Sequence, residues 1–220
     1  MVENKIEKDN NPLIEANKYL DEGRYEKAIE LYEKLIEDSL KNHKIKEVGM
    51  AYHNMGVVYD TQKKHDLAID SFQKALENHK MINNYRGVSW AYFSIGLTYG
   101  QLNNYKEMIE YFKKSIDFGV KAQDNEIVLK SYNGIGHAFI QLKEYPESLK
   151  YLNKGLELSI DSVNLYYVSE TYYLRGISLE NLNLRNEATE SFTLAIDYAA
   201  KSGNEQIVAL AFPKISELQS

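Results

Sequence analysis

Cysteine is absent from the sequence, which excludes disulfides, thiolate catalysis and cysteine-ligated metal. Proline is scarce, with 3 in 220 residues, so little in the chain interrupts helix. No apolar run approaches the roughly 18 residues of a membrane-spanning helix. The opening Met1-Val2-Glu3-Asn4-Lys5 lacks the apolar stretch of a secretory signal, and a cytoplasmic protein with no membrane partner is expected. Positive charge is short as well: the formal net charge is -6, and nearly all the cations are Lys. A nucleic-acid partner is therefore not expected, because such proteins concentrate basic charge. Hydrophobic residues are plentiful at 44%, enough for a folded core.

What is present is a repeat. Ala16, Gly56, Gly96, Gly136 and Gly176 follow one another at intervals of 40 residues. Four positions before each Gly stands Tyr52, Tyr92, Tyr132 or Tyr172. Three positions after the small residue comes Tyr19, Tyr59, Tyr99, Phe139 or Leu179; sixteen after it comes Tyr32, Phe72, Phe112, Leu152 or Phe192. Val48, Val88, Val128, Val168 and Val208 keep the same interval. Within the third unit, Val88, Ala91, Tyr92, Ile95, Gly96 and Tyr99 step by three and four, one face of a helix. A polar break at Asn103-Asn104 precedes a second such face through Met108, Ile109, Phe112 and Ile116. Short breaks make neighbouring helices antiparallel. The expected contact sets Gly or Ala of the first helix against Ala or Ser of the second, with Tyr and Phe filling the gaps between hairpins. Eleven of the 18 tyrosines fall at recurring positions, and Tyr166, Tyr167 and Tyr173 fall outside them.

This pattern resembles the tetratricopeptide repeat (TPR) family from about Pro12 to the C-terminus. The resemblance implies an all-α fold: a TPR superhelix, or α-solenoid, of five helical hairpins plus a C-terminal capping helix. The expected division is a flexible tail over 1–11 and hairpins over about 12–47, 48–87, 88–127, 128–167 and 168–203. A solvent-facing cap follows over 204–220, kinked or shortened by Pro213. The departure from the family is the long unit, 40 residues instead of about 34. Long units look like those of Rap-type peptide-sensing bacterial regulators and of some eukaryotic polarity adaptors. Those regulators carry a helix-turn-helix domain or a helical bundle ahead of the repeats. About 11 residues precede the first unit here, so either the array signals by itself or the chain is a fragment.

No catalytic residue, cofactor or metal is expected. His43, His53, His65, His79 and His137 include no i,i+4 pair of the kind helical zinc motifs need. Asn133-Gly134-Ile135-Gly136 lacks the following Lys-Ser or Lys-Thr of a phosphate loop. Binding is the expected activity, with a protein or peptide in a concave groove and the chain either a monomer or a homodimer. In TPR arrays the first helices line that groove, and the helical wheel then names the inward stripe. It holds His53, Asn54 and Val57 in the second unit, and Trp90, Phe93 and Leu97 in the third. It continues with Lys130, Asn133 and His137 in the fourth, and Tyr173 and Ile177 in the fifth. Trp90 is the only tryptophan, and an apolar cluster around it suits a binding site. It equally suits packing against a loop or the adjoining second helix. Asn54 and Asn133 suit capture of a peptide backbone, since an amide both donates and accepts; bonding within the array is the alternative. Lys130 is the stripe's one cation, so the carboxylate clamp of chaperone-binding TPR adaptors is not expected.

Overall fold

The computed structural model describes residues 12–158 and 164–219; the tail over 1–11 lies outside them. Among the described residues there are eleven helices, α1 (Pro12–Asp21), α2 (Tyr25–Lys41), α3 (Ile45–Thr61), α4 (His65–Met81), α5 (Tyr85–Gln101), α6 (Tyr105–Lys121), α7 (Asn125–Gln141), α8 (Tyr145–Leu158), α9 (Leu165–Asn181), α10 (Arg185–Ser202) and α11 (Glu205–Gln219). First helices start at Ile45, Tyr85, Asn125 and Leu165, three residues ahead of the valines that mark the repeat. None of the helices is long and apolar enough to cross a membrane.

The joints between helices obey a shorter period than the sequence repeat. Positive φ occurs at Gly23, His43, Lys63, Asn83, Asn103, Gln123, Lys143, Asn183 and Gly203, all in steps of twenty or forty. Each is the left-handed residue that ends a helix. The residue after it returns its N–H to a carbonyl five positions back: Arg24 to Tyr19 at 2.8 Å, Lys64 to Tyr59 at 2.9 Å and Glu144 to Phe139 at 2.8 Å. Carbonyls in the last turn of these nine helices are thereby satisfied, and the chain reverses within three residues. Most helices are 17 residues long, about 25 Å.

The chain divides into two compact units, with the boundary inside α5 between Thr98 and Tyr99. In the first unit α1 to α4 pack in sequence order, and α1 also touches α3. Their core joins Ala16, Ala28, Tyr32, Val48, Ala51 and Val58. In the second unit α6 to α11 pack in order, and α9 also touches α7 before it and α11 after it. Phe192, Ala195, Ala199 and Ala211 form the C-terminal core.

Beyond the small–small contact expected, the packing glycine makes room for the large side chain sixteen positions on in its own hairpin. A Cβ built at Gly56 would lie 2.5 Å from Cε1 of Phe72, and one at Gly176 would lie 2.5 Å from Cε1 of Phe192. The ring occupies the volume that the glycine leaves empty. Serines serve the contact differently: the Ser148 hydroxyl donates to the Gly136 carbonyl at 3.0 Å. Pro213 does not shorten the last helix, which continues to Gln219. Asn204 caps that helix, its Oδ1 accepting from the Ile207 N–H at 3.3 Å, while its Nδ2 donates to Ser169 at 3.1 Å.

Candidate peptide-binding site

In the first unit the stripe expected to face inward lies on α3 and α5. His53, Asn54, Val57 and Trp90 are partly exposed, and Leu97 is 41% exposed. Phe93 is 8% exposed, so it belongs to the core. It supports Trp90 edge-on, with ring centroids 5.9 Å apart. Asn54 is engaged within the array: its Nδ2 donates to Asn17 Oδ1 at 2.7 Å. The Tyr32 hydroxyl donates to the same oxygen at 2.6 Å. Asn54 is nevertheless only half-buried.

Beside this stripe lies a cavity of about 440 Å³, bordered by the first turns of α3 and α5 and the end of α4. Lys46, Met50 and Arg86 are exposed at its rim, and His79, 3% exposed, lies at its base. Trp90, His53 and Asn54 complete one wall. The His79 ring is held between two glycines: a Cβ at Gly49 would approach Cε1 to 2.7 Å, and one at Gly87 would approach Cδ2 to 2.5 Å. Asn84 fixes its protonation. Asn84 Oδ1 accepts from the Gly87 N–H at 3.2 Å, so Nδ2 faces His79 Nδ1 at 3.1 Å. That nitrogen accepts, and the proton of the neutral ring sits on Nε2.

Both histidines of this cavity favour the neutral form. Burial lowers the His53 pKa to about 4, with His79 a further contributor. Burial also lowers that of His79, and Lys46 adds to the effect. His53 stacks obliquely on Phe72, centroids 5.3 Å apart.

In the second unit the stripe is a bonded cluster. Asn133, 2% exposed, donates from Nδ2 to the Tyr167 carbonyl at 3.0 Å and to Glu170 Oε2 at 3.3 Å. Its Oδ1 accepts from the Thr171 hydroxyl at 2.7 Å. Of the two readings the sequence left open, Asn133 follows bonding within the array, and it positions Glu170 and Tyr167. Lys130 lies over the Tyr167 ring, 4.6 Å from its centroid, and 3.7 Å from Glu126. Glu170 has a raised pKa because burial outweighs the Asn133 hydrogen bond and the Lys130 charge. His137 is exposed and meets Gln141 through Nε2 at 3.2 Å.

Tyr173 and Ile177 are half-buried against the C-terminal core. Tyr173 packs on Phe192 at 5.8 Å, and burial raises its phenol pKa. Near it Lys214 of α11 donates to Glu180 at 3.1 Å. Among the described residues, no three of His, Cys, Asp and Glu converge as metal ligands.

Lys46, His79, Asn84 and Arg86 escape the sequence reading because they lie at helix ends, away from the mid-helix stripe. A wheel drawn over the whole of α3 and α5 would have included the two cations. The contact with His79 has no local signal beyond the glycines at 49 and 87.

The model of the RNPP family C-terminal domain matches residues 88–199, just over half of the chain. The chain belongs to the RNPP family. The tetratricopeptide repeat model matches residues 16–81 and 47–119 of this RNPP-family chain. No curated protein matches it in sequence. Among solved structures it resembles the apo form of RapI, with 15% identity, a TM-score of 0.69 and coverage of 99% of this chain and 85% of that one. Aspartyl phosphate phosphatase F from Bacillus subtilis matches with 17% identity and a TM-score of 0.69, over 95% of this chain and 59% of that one. A Rap protein complexed with competence and sporulation factor matches with 12% identity and a TM-score of 0.69, over 94% of this chain and 61% of that one. The RNPP-family chain thus spans about three-fifths of those last two chains, and the likeness to all three is one of fold. The fold is the all-α TPR repeat.

Proposed function

We propose that the protein is a peptide receptor that works without catalytic chemistry of its own. The peptide lies against the first helices, with α3 and α5 supplying the principal contacts. The observation that carries this reading is Trp90. The sole tryptophan stands partly exposed on a first helix, braced by buried Phe93 and opening onto a cavity lined by polar groups. Aromatic anchors beside a rigid polar pocket are what peptide recognition uses. Membership of the RNPP family and a fold shared with a Rap protein complexed with competence and sporulation factor support a peptide as the ligand class.

A regulatory role is the second reading, favoured by the same family match. In it the chain senses a peptide and passes the signal to another protein or domain. Lys130, His137, Tyr173 and Ile177 then form a further contact patch in the second unit. Asn133 contributes by holding Glu170 and the α9 backbone.

The test is retention of synthetic random heptapeptides on the immobilised chain, compared with the Trp90→Ala and Leu97→Ala variants. Both residues are partly or fully exposed, so the variants should fold. The expected result is a loss of about tenfold or more in retention for Trp90→Ala, the range of a hot-spot aromatic. Undiminished retention by both variants would refute the groove.

A further inference from the structure

A further cavity, of about 530 Å³, opens between the start of α1, the end of α2 and the first turns of α3. Buried Leu35 and Ser39 line it, and Leu13 and Met50 add apolar surface. Its relation to the cavity beside Trp90 is that of the sequence repeat. Ser39, Lys46 and Met50 of this α1–α3 cavity stand forty positions before His79, Arg86 and Trp90 of the α3–α5 cavity, and Leu13 stands forty before His53. The array thus makes the same hollow twice, once per hairpin. Lys46 and Met50 line both, so α3 is the wall between them.

Both volumes fall within the roughly 300–1,000 Å³ of ligand sites. The α1–α3 cavity suits an uncharged side chain. Its Glu47 is already matched: Oε2 accepts from Ser39 at 3.2 Å, and Oε1 pairs with Lys44 at 3.5 Å. Asp38 and Lys46 are exposed at the rim, one of each sign. The α3–α5 cavity offers its own apolar walls, Met50 and Trp90. The spacing then sets the register of a ligand that enters both. α1 packs directly on α3, and packed helices run about 8–10 Å apart, so the two cavities lie about one such spacing apart. A polyproline-type backbone places side chains three residues apart on the same side, at about 9 Å. A β-strand places same-side residues at about 7 or 13 Å.

We infer that the α1–α3 and α3–α5 cavities are paired subsites, taking two apolar side chains three residues apart on one extended peptide that crosses α3 over Met50. The inference rests on the peptide-receptor reading and adds the spacing of the ligand's anchors and the form of its backbone.

The experiment uses the intact chain and mass-tagged pools of heptapeptides whose remaining positions are random among Ser, Thr, Asn and Gln. One pool carries a single leucine; the others carry two, separated by two, three or four positions. Retained peptides are counted by mass spectrometry for the wild type, Asn42→Trp, which crowds the α1–α3 cavity, and Met50→Asp, which charges the shared wall. Both substituted side chains are exposed, and an unchanged thermal midpoint verifies folding. The expected result is retention of the three-apart pool about tenfold or more above every other pool, the scale of one more buried leucine, with that advantage lost in the variants. Equal retention of all the two-leucine pools, or no gain over a single leucine, overturns the paired subsites and leaves the peptide receptor standing. A three-apart preference that persists in both variants also overturns the pairing. Retention of no pool overturns both readings.

Discussion

Thr171 on α9 donates its hydroxyl to Asn133 Oδ1 on α7 at 2.7 Å, joining two successive first helices across 38 positions of sequence. The first unit has counterparts, Thr98 donating to Asp60 at 3.0 Å and Asn54 to Asn17 at 2.7 Å. Farther along, Lys214 reaches Glu180. The polar side chains of the stripe therefore serve first as rungs between neighbouring first helices. Leu97, 41% exposed, has no polar group with which to form such a rung.

Asn133→Leu should cost stability before it costs binding. It removes one acceptor of the buried Thr171 hydroxyl, which also donates to the Tyr167 carbonyl, and the amide that donates to the half-buried Glu170 carboxylate; such losses run at about 1–3 kcal/mol. Urea unfolding should register that decrease. An unchanged midpoint would mean that the bonds contribute nothing to folding.

Stability should also fall with acid before ordinary carboxylates titrate. The His53 pKa is depressed to about 4 from 6.5. The folded state therefore resists a proton that the unfolded chain accepts. The contribution of neutral His53 is present above pH 6.5 and disappears as the pH falls from there toward 4. Its size is on the order of 2 kcal/mol once the partly exposed edge is allowed for. Denaturant midpoints at pH 7.5 and 5 should differ in that sense, and His53→Phe should flatten the dependence. His79, shifted the same way, supplies the residue of the slope.

The glycine–aromatic contact predicts a compensating pair. Gly56→Ala places a methyl 2.5 Å from the Phe72 ring. Overpacking of that kind costs about 1–3 kcal/mol, set against at most about 1 kcal/mol of helix propensity gained. Phe72→Leu alone opens space and destabilises. The double variant should be more stable than the sum of the two single effects, as read from a double-mutant cycle of thermal unfolding.

At the joints, Lys143 adopts a φ of 60°, a conformation that costs an ordinary residue roughly 1 kcal/mol or more. Lys143→Gly should raise the unfolding free energy by a few tenths to about 1 kcal/mol. Lys143→Val should lower it. Calorimetric midpoints for the three proteins give the order.

The hairpins were legible because their signal is local and recurs every 40 residues. Alternation of first and second helices, and the aromatic position at Phe72, Phe112 and Phe192, could be read directly. The polar breaks inside hairpins, such as that at Asn103-Asn104, could be read as well, but the joints between hairpins at His43, Asn83 and Gln123 could not, because these residues share a backbone conformation and no side-chain chemistry. The site was legible in part. A helical wheel finds Trp90 and Leu97 but assigns Phe93 to the same stripe, since it cannot see the neighbouring helix that buries it. Nor can it see that Asn133 is spoken for by Tyr167, Glu170 and Thr171, which belong to the next hairpin. The cavity of Lys46, His79 and Arg86 is assembled from three helix ends and exists only once α3, α4 and α5 are packed.

The left-handed joint also restricts how such a chain can change length in evolution. Each helix ends at a fixed count, and two helices must pass before the chain points the same way with the same face inward. An insertion of one helix and one joint would put a second-helix sequence where a first helix belongs and invert every later contact. Lengthening is therefore quantised in whole hairpins. Copy number becomes the variable that selection can alter freely, while the count within a copy stays locked.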